Sequence, residues 1–322
     1  MAHITAGDIT ALTYQIENEY GTPTGTAQYY ADVAEGGKFK IEDNSNPYLA
    51  WRYGSRSFDP ADYVTQQIDA AYSDVIETTD RQGWQKIIEY ATGIGGTFND
   101  AQASLPSRTT QIYVQPEPGQ YQGRIYYGCK TDSLTIKADA PGGIVTFEEH
   151  VLASYPDNAD TDTQGSGWAA GLPAVQWLSG ATIGSTQIYP QSFSISIVNN
   201  LGRSYKPRAS GAITGALLEG RREITAEFDL WMEDLDNIRA SIANGNPGDI
   251  TLTLGITNPV TLRLTGVRWM ANGDYPDLIQ DKQRETLRFR VQGISLTTPS
   301  TATLEATPGG APEEPTEEQP EA

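Results

Sequence analysis

Four stretches in the second half of the chain alternate apolar and polar residues with a period of two. That period belongs to strands with one buried face and one wet face. The stretches are Phe193-Ile195-Ile197, Ile224-Ala226-Phe228-Leu230-Met232, Ile250-Leu252-Leu254-Ile256 and Leu287-Phe289-Val291, with Ser, Thr, Glu, Asp or Arg between them. In the first half Val64, Gln66, Ile68, Ala70 and Tyr72 alternate against Thr65, Gln67, Asp69 and Ser73. A short helical pattern follows, with Asp80 as its N-cap, Trp84, Ile87, Ile88 and Ala91 on one face, and Gly93 as a left-handed stop. A second helix is predicted over about 234–243 from Leu235, Ile238 and Ile242, with Asn244-Gly245 ending it.

The order strand, helix, strand, long strand, strand then occurs twice. Asp80–Thr92 aligns with Asp234–Ala243, and the long strand Ile125–Lys137 aligns with Val260–Met270. The expectation is a mainly β chain of two tandem β-sandwich domains, each with one flanking α-helix. Residues 1–37 read as a loop-like N-terminal arm, 38–155 as the first domain and 156–173 as a linker. Residues 174–297 read as the second domain, with an irregular stretch between its first two strands. Residues 298–322 are Pro, Thr, Gly and Glu without a base, too polar to offset the entropy of ordering.

Chemistry is sparse. His3 and His150 are the only histidines, and His150 in Phe147-Glu148-Glu149-His150 reads as a wet or hydrogen-bonded strand residue. Cys129, the only cysteine, excludes an intrachain disulfide and reads as a buried filler. No nucleophile elbow or phosphate loop occurs, and Gly93-Ile94-Gly95-Gly96 follows a helix instead of opening one. Asp160-x-Asp162-x-Gln164-Gly165 imitates the opening of a calcium loop, with Asp157, Asp160 and Asp162 as weak candidates. The acid six residues beyond that glycine is missing, because position 171 is Gly. No catalytic residue and no cofactor is therefore assigned.

The net charge of −19, from 41 acids and 22 bases, opposes classical nucleic-acid binding. It leaves two readings, a generally soluble acidic surface and a surface that lets a polyanion pass. No apolar run reaches the roughly 20 residues that span a bilayer, so no membrane insertion is expected. The first residues lack the basic and apolar regions of a secretory signal, which suits a cytosolic product that assembles later.

The run Gly220-Arg221-Arg222-Glu223-Ile224-Thr225-Ala226-Glu227-Phe228-Asp229-Leu230 resembles the tail tube proteins of tailed bacteriophages and archaeal viruses. Gly128 to Gly143 and Gln191-Ser-Phe-Ser-Ile-Ser-Ile-Val-Asn-Asn-Leu201 add to the resemblance, which covers most of 120–297. It implies tail-tube-type sandwich domains whose sheets join their neighbours into a closed barrel of about 24 strands. Two such domains in one chain imply a trimeric ring with pseudo-sixfold symmetry, a hexamer being the alternative. The rings would stack with other tail proteins in the virion, assembled in the host cytoplasm, and let viral DNA pass unbound. Thr65, Gln67, Asp69 and Ser73 on one strand, and Glu223, Thr225, Glu227 and Asp229 on its counterpart, are the channel-lining candidates. Arg288 and Arg290 are expected to pair with those acids across strands. A second reading is a carbohydrate-binding adhesin of a virion or cell surface, drawn from 17 Tyr and 6 Trp, with Trp168 and Trp177 as platforms. A glycoside hydrolase working through Glu227 ranks last.

Overall fold

The computed structural model describes residues 9–31, 40–42, 44–49, 63–76, 81–93, 104–117, 120–159, 180–208, 211–231, 248–254, 260–270 and 284–297. The first half contains β1 (Ile9–Glu19), β2 (Thr22–Ala31), β3 (Lys40–Ile41), β4 (Asn44–Leu49), β5 (Tyr63–Ile76) and helix α1 (Arg81–Thr92). It continues with β6 (Arg108–Glu117), β7 (Gln120–Ala138), β8 (Thr146–Ala153) and β9 (Tyr155–Ala159). The second half holds β10 (Ala181–Ile183), β11 (Thr186–Ile188), β12 (Ser192–Val198), β13 (Gly202–Arg208), β14 (Gly211–Leu218) and β15 (Glu223–Trp231). It ends with β16 (Ile250–Leu254), β17 (Val260–Thr265), β18 (Arg268–Met270), β19 (Arg284–Val291) and β20 (Gly293–Thr297).

Eight strands lie side by side, all antiparallel, in the order β3-β5-β8-β7-β12-β15-β19-β18. The first four come from one half and the last four from the other. Each half has a second, five-stranded layer, β2-β1-β6-β7-β9 in the first and β11-β10-β16-β17-β20 in the second. The two halves therefore repeat one connectivity, and β7 with β12 is the seam between them. Among the described residues the eight-stranded sheet is open and does not close into a barrel within one chain.

Both layers are built by parity. β12 and β15 bury every second residue, so Phe193, Ile195, Ile197, Ala226, Phe228 and Leu230 point one way. They meet Leu252, Leu254, Leu262 and Leu264 of the second layer in one core. In the first half Leu134, Ile136, Phe147 and Val151 join Tyr14, Ile112 and Tyr126, with Ile87, Ile88 and Ala91 of α1 alongside. At roughly 25 cal/mol per Å² of buried apolar area, these stacked faces supply the main stabilising term.

A long strand serves both layers in each half, and it turns at a glycine. β7 pairs with β6 and β9 up to Cys129, then with β8 from Lys130; Gly128 has φ +63°. β17 pairs with β16 and β20, β18 with β19, and Gly266 between them has φ +61°. The expected strand over 260–269 is thus a bent pair.

Several expectations change. The N-terminal segment read as a loop forms the β1–β2 hairpin over 9–31 and joins β6. The expected linker begins as β9, paired with β7. The irregular stretch between the first two strands of the second half is the β13–β14 hairpin. Strands β10 and β11 went unread. α1 ends as expected, with Gly93 at φ +90° and its N–H bonded to the Glu89 carbonyl at 2.7 Å. The second expected helix, 234–243, and the segment 298–322 lie outside the described residues.

A Cβ at Gly266 would stand 2.6 Å from Gln292 Cβ, whereas one at Gly202 has nothing nearer than 3.9 Å. Gly266→Ala is therefore expected to cost about 1–3 kcal/mol in urea unfolding, and Gly202→Ala to be neutral or stabilising by up to about 1 kcal/mol.

Candidate functional site

The parity that buries one face of the eight-stranded sheet leaves the other wet. Two rows run across β7, β12, β15 and β19: Lys137-Ser194-Glu227-Arg288 and Thr135-Ser196-Thr225-Arg290. Arg288 Nε lies 2.9 Å from Glu227 Oε1, and Arg290 Nη2 lies 3.4 Å from Glu223 Oε1. Lys137 Nζ meets Glu148 Oε1 at 2.7 Å. Each pair is solvent-exposed and contributes about 0.2–1 kcal/mol. Their larger effect is on the field, since Lys137, Arg288 and Arg290 on this face each stand beside an acid. Lys137, Asp139, Ser194, Glu227, Asp229 and Thr286 line a shallow depression over the β7–β12–β15 junction.

The candidates in the first half divide. Ser73 stands opposite His150 and donates to Glu42 Oε1 at 3.2 Å. Asp69 accepts from the Tyr205 hydroxyl at 2.8 Å and lies 3.8 Å from Arg203 Nε, so it ties the β13–β14 hairpin to β5. Thr65 and Gln67 fall where β5 pairs with β4, and Gln67 also with β14; their side chains lie outside the described ones. The structure thus groups Glu223, Thr225, Glu227 and Asp229 with Ser73 on one sheet face and moves Asp69 to its margin.

His150 sits between two acids, with Nδ1 3.4 Å from Asp132 Oδ2 and Nε2 3.4 Å from Glu42 Oε2. Its hydrogen bond to Asp132 raises its pKa against the opposing effect of burial. Burial opposes the shift of Asp132 too, but the bonds from His150 and the Leu201 N–H outweigh it and lower its pKa. Glu42 belongs to the β3–β4 margin and Asp132 to the seam, so the imidazole bridges them.

Sequence reasoning missed the buried network beneath this face. Arg108 and Glu149 have side chains wholly inaccessible to solvent, and Arg108 Nη2 donates to Glu149 Oε1 at 2.8 Å. The guanidinium also donates to Thr131 Oγ1 at 3.1 Å, Thr110 Oγ1 at 3.3 Å and the Tyr72 hydroxyl at 3.3 Å. Its carbon lies 4.6 Å above the Tyr90 ring, and the Thr131 hydroxyl donates to Glu149 as well. Asp74, opposite Glu149 across β5 and β8, is 2% exposed, and among the described residues no side chain donates a hydrogen bond to its carboxylate. Burial, then the Glu149 carboxylate, push its pKa well above the carboxylate range, while Arg108 pulls it down. Burial thus favours the neutral form of the Asp74 carboxyl.

The seam has its own polar lock. Asn199 Nδ2 donates to the Ala91 and Thr131 carbonyls at 3.0 and 2.8 Å, and Arg222 Nε donates to Asn199 Oδ1 at 2.6 Å. Arg222 Nη1 reaches the Thr92 carbonyl at 2.9 Å, so two residues of the second half cap helix α1 of the first. The β13–β14 hairpin adds Arg203, bonded to the Ala70 and Ala153 carbonyls at 2.8 and 3.0 Å. Glu17, bonded by Thr109 and the Gly21 and Gly128 amides at 2.6–2.8 Å, pins the β1–β2 turn to the bend in β7.

Among the described residues no group of three or more His, Cys, Asp or Glu could hold a metal. Asp157 lies on β9 opposite Ile125, while Asp160, Asp162, His3, Trp168 and Trp177 lie outside the described residues. Cys129 is fully buried and its thiol is pushed up to about 12, chiefly by burial, which suits an inert filler.

A family model described as phage tail tube protein matches residues 5–316. No curated protein matches the chain.

Two outcomes follow from the buried network. Arg108→Met leaves Glu149 buried and uncompensated and should cost about 3–5 kcal/mol in chemical denaturation. Arg108→Met with Glu149→Leu should recover most of that loss. For Asp74 the folded pKa is raised, so the folded state binds the extra proton, and stability falls as pH rises from the unfolded value of about 3.9 towards the folded one. Asp74→Asn should therefore stabilise at pH 7, with the gain vanishing in unfolding curves near pH 3.

Proposed function

Because the chain belongs to the phage tail tube protein family, a non-enzymatic structural component of the tail, we propose that three copies close into one ring of its tube. The observation that carries this reading is the β7–β12 seam. Each half contributes four strands to one sheet, and a single chain already joins two such quartets edge to edge. Three chains of eight strands supply the 24 that the resemblance implies. The unit of assembly is then twin tube domains, the first taking in β1 to β9 and the second β10 to β20. The ring has threefold symmetry and a pseudo-sixfold wall. Such a head-to-tail contact closes on itself and leaves that sheet no open strand edge.

The wet face points into the bore. Glu223, Thr225, Glu227, Asp229 and Ser73 then line the wall, with Thr65, Gln67 and Asp69 at its margin. Arg288 and Arg290 approach the same wall but are engaged by Glu227 and Glu223. A phosphate backbone meets hydroxyls, carboxylates and, in Lys137, Arg288 and Arg290, cations already engaged by acids, which weakens any hold on it. The chemistry of the wall is passage without binding, as the genome leaves through stacked rings.

The test is assembly of the purified protein, followed by negative-stain electron microscopy and mass measurement of single rings. Hollow rods with three chains per ring are expected. A chain that stays monomeric at high protein concentration and ionic strength, or rings of six chains, would overturn the reading.

A further inference from the structure

Both halves repeat one strand order, so the seam inside the chain is a template for the seam between copies. The equivalence can be carried to single residues. β8 passes through Ser154 into β9, and β19 passes through Gln292 into β20; aligning those two switch points places His150 on Arg288. Ser133 of β7 faces His150, and Met270 of β18 faces Arg288, so Met270 takes the place of Ser133. On the other side Ser73 faces His150 and Glu227 faces Arg288. Lys40 faces Ser73 and Ser194 faces Glu227. The offset that pairs Lys40 with Ser73 also pairs Asn44 with Asp69, while β12 reaches Val198 opposite Glu223. Asn44 therefore takes the place of Val198.

Inside the chain, Ser133 and Val198 are direct antiparallel partners across β7 and β12. We propose that Met270 of one copy stands directly opposite Asn44 of the next, so that β18 adds antiparallel to the β3–β4 margin in the register of the internal seam. The partner of this edge is a second copy of the chain, and the proposal rests on the ring reading above. Among the described residues β18 pairs only with β19, leaving its outer edge without a strand. Met270 and Trp269 on it are 44% and 40% exposed, which suits an edge that becomes covered. The two seams differ in their locks. Ser45 and Ile68 stand where Asn199 and Arg222 clamp the helix end, so the seam between copies lacks that clamp and can open when the internal one holds.

The test is a disulfide scan on the full chain. Directly opposed antiparallel residues have Cα atoms about 4.5–5.5 Å apart, within disulfide reach. A chain carrying both Met270→Cys and Asn44→Cys should run as a covalent trimer on a non-reducing gel after assembly and revert with reductant. Met270→Cys with Asn46→Cys, two residues off register, should give at least tenfold less cross-linked product. Ser133→Cys with Val198→Cys should close within one chain, reporting that the variants fold. Rings by electron microscopy with the 270–44 pair unlinked, or the 270–46 pair linked instead, would overturn the register alone. Monomers without cross-links would overturn the register and the ring together.

Discussion

The antiparallel pairing of β7 with β12 is the constraint on which the rest depends. It turns two four-stranded halves into one sheet with one wet face and one buried face. Because side chains alternate, a slip of one residue there would send Phe193, Ile195 and Ile197 to water and Ser194 and Ser196 into the core. Apolar burial on both sides of the seam thus fixes its register. Asn199 and Arg222 then hold it by closing the end of α1 from across the boundary. The geometry of the wet face, and the spacing of every charge on it, follows from that one ladder.

The halves share a connectivity but fill it differently. At the position where the second half buries Phe228 and Leu287, the first half buries Asp74 and Glu149, with Arg108 reaching in from the other layer. Taking such a pair out of water is costly, and the bonds that Arg108 donates to Thr110, Thr131 and Tyr72 offset part of that cost. Those bonds tie β5, β6, β7 and β8 to one another. At those two equivalent positions the second half packs Phe228 and Leu287 into its apolar core instead.

What could be read from the sequence follows the same physics. Strands β12, β15, β16 and β19 were legible because each half-buried strand alternates cleanly. β1 was not, since Ile16 is 47% exposed while Glu17 is buried, and register shifts against β2 break the period. β13 and β14 form a polar hairpin containing Pro207, Gly211 and Gly215, so no apolar stripe marks them. β10 and β11 have three residues each, too few for a period. The pairing of Arg288 and Arg290 with Glu227 and Glu223 was foreseeable, because facing strands carried opposite charges at matching parity. The Arg108 network was not: its members lie on separate strands, and only an inward Glu149 flanked by apolar partners hinted at a buried charge. Asn199 and Arg222 lay inside the runs that carried the family resemblance, yet nothing local in them points to a helix end some hundred residues earlier.

Native-state amide hydrogen exchange on the monomer tests the continuous sheet most directly. The β12 amides should exchange only through global unfolding, as slowly as those of β15 and the second part of β7. Exchange in β12 faster by orders of magnitude than in β15, with β7 and β12 responding independently to denaturant, would show two separately opening halves and contradict a sheet that runs through both.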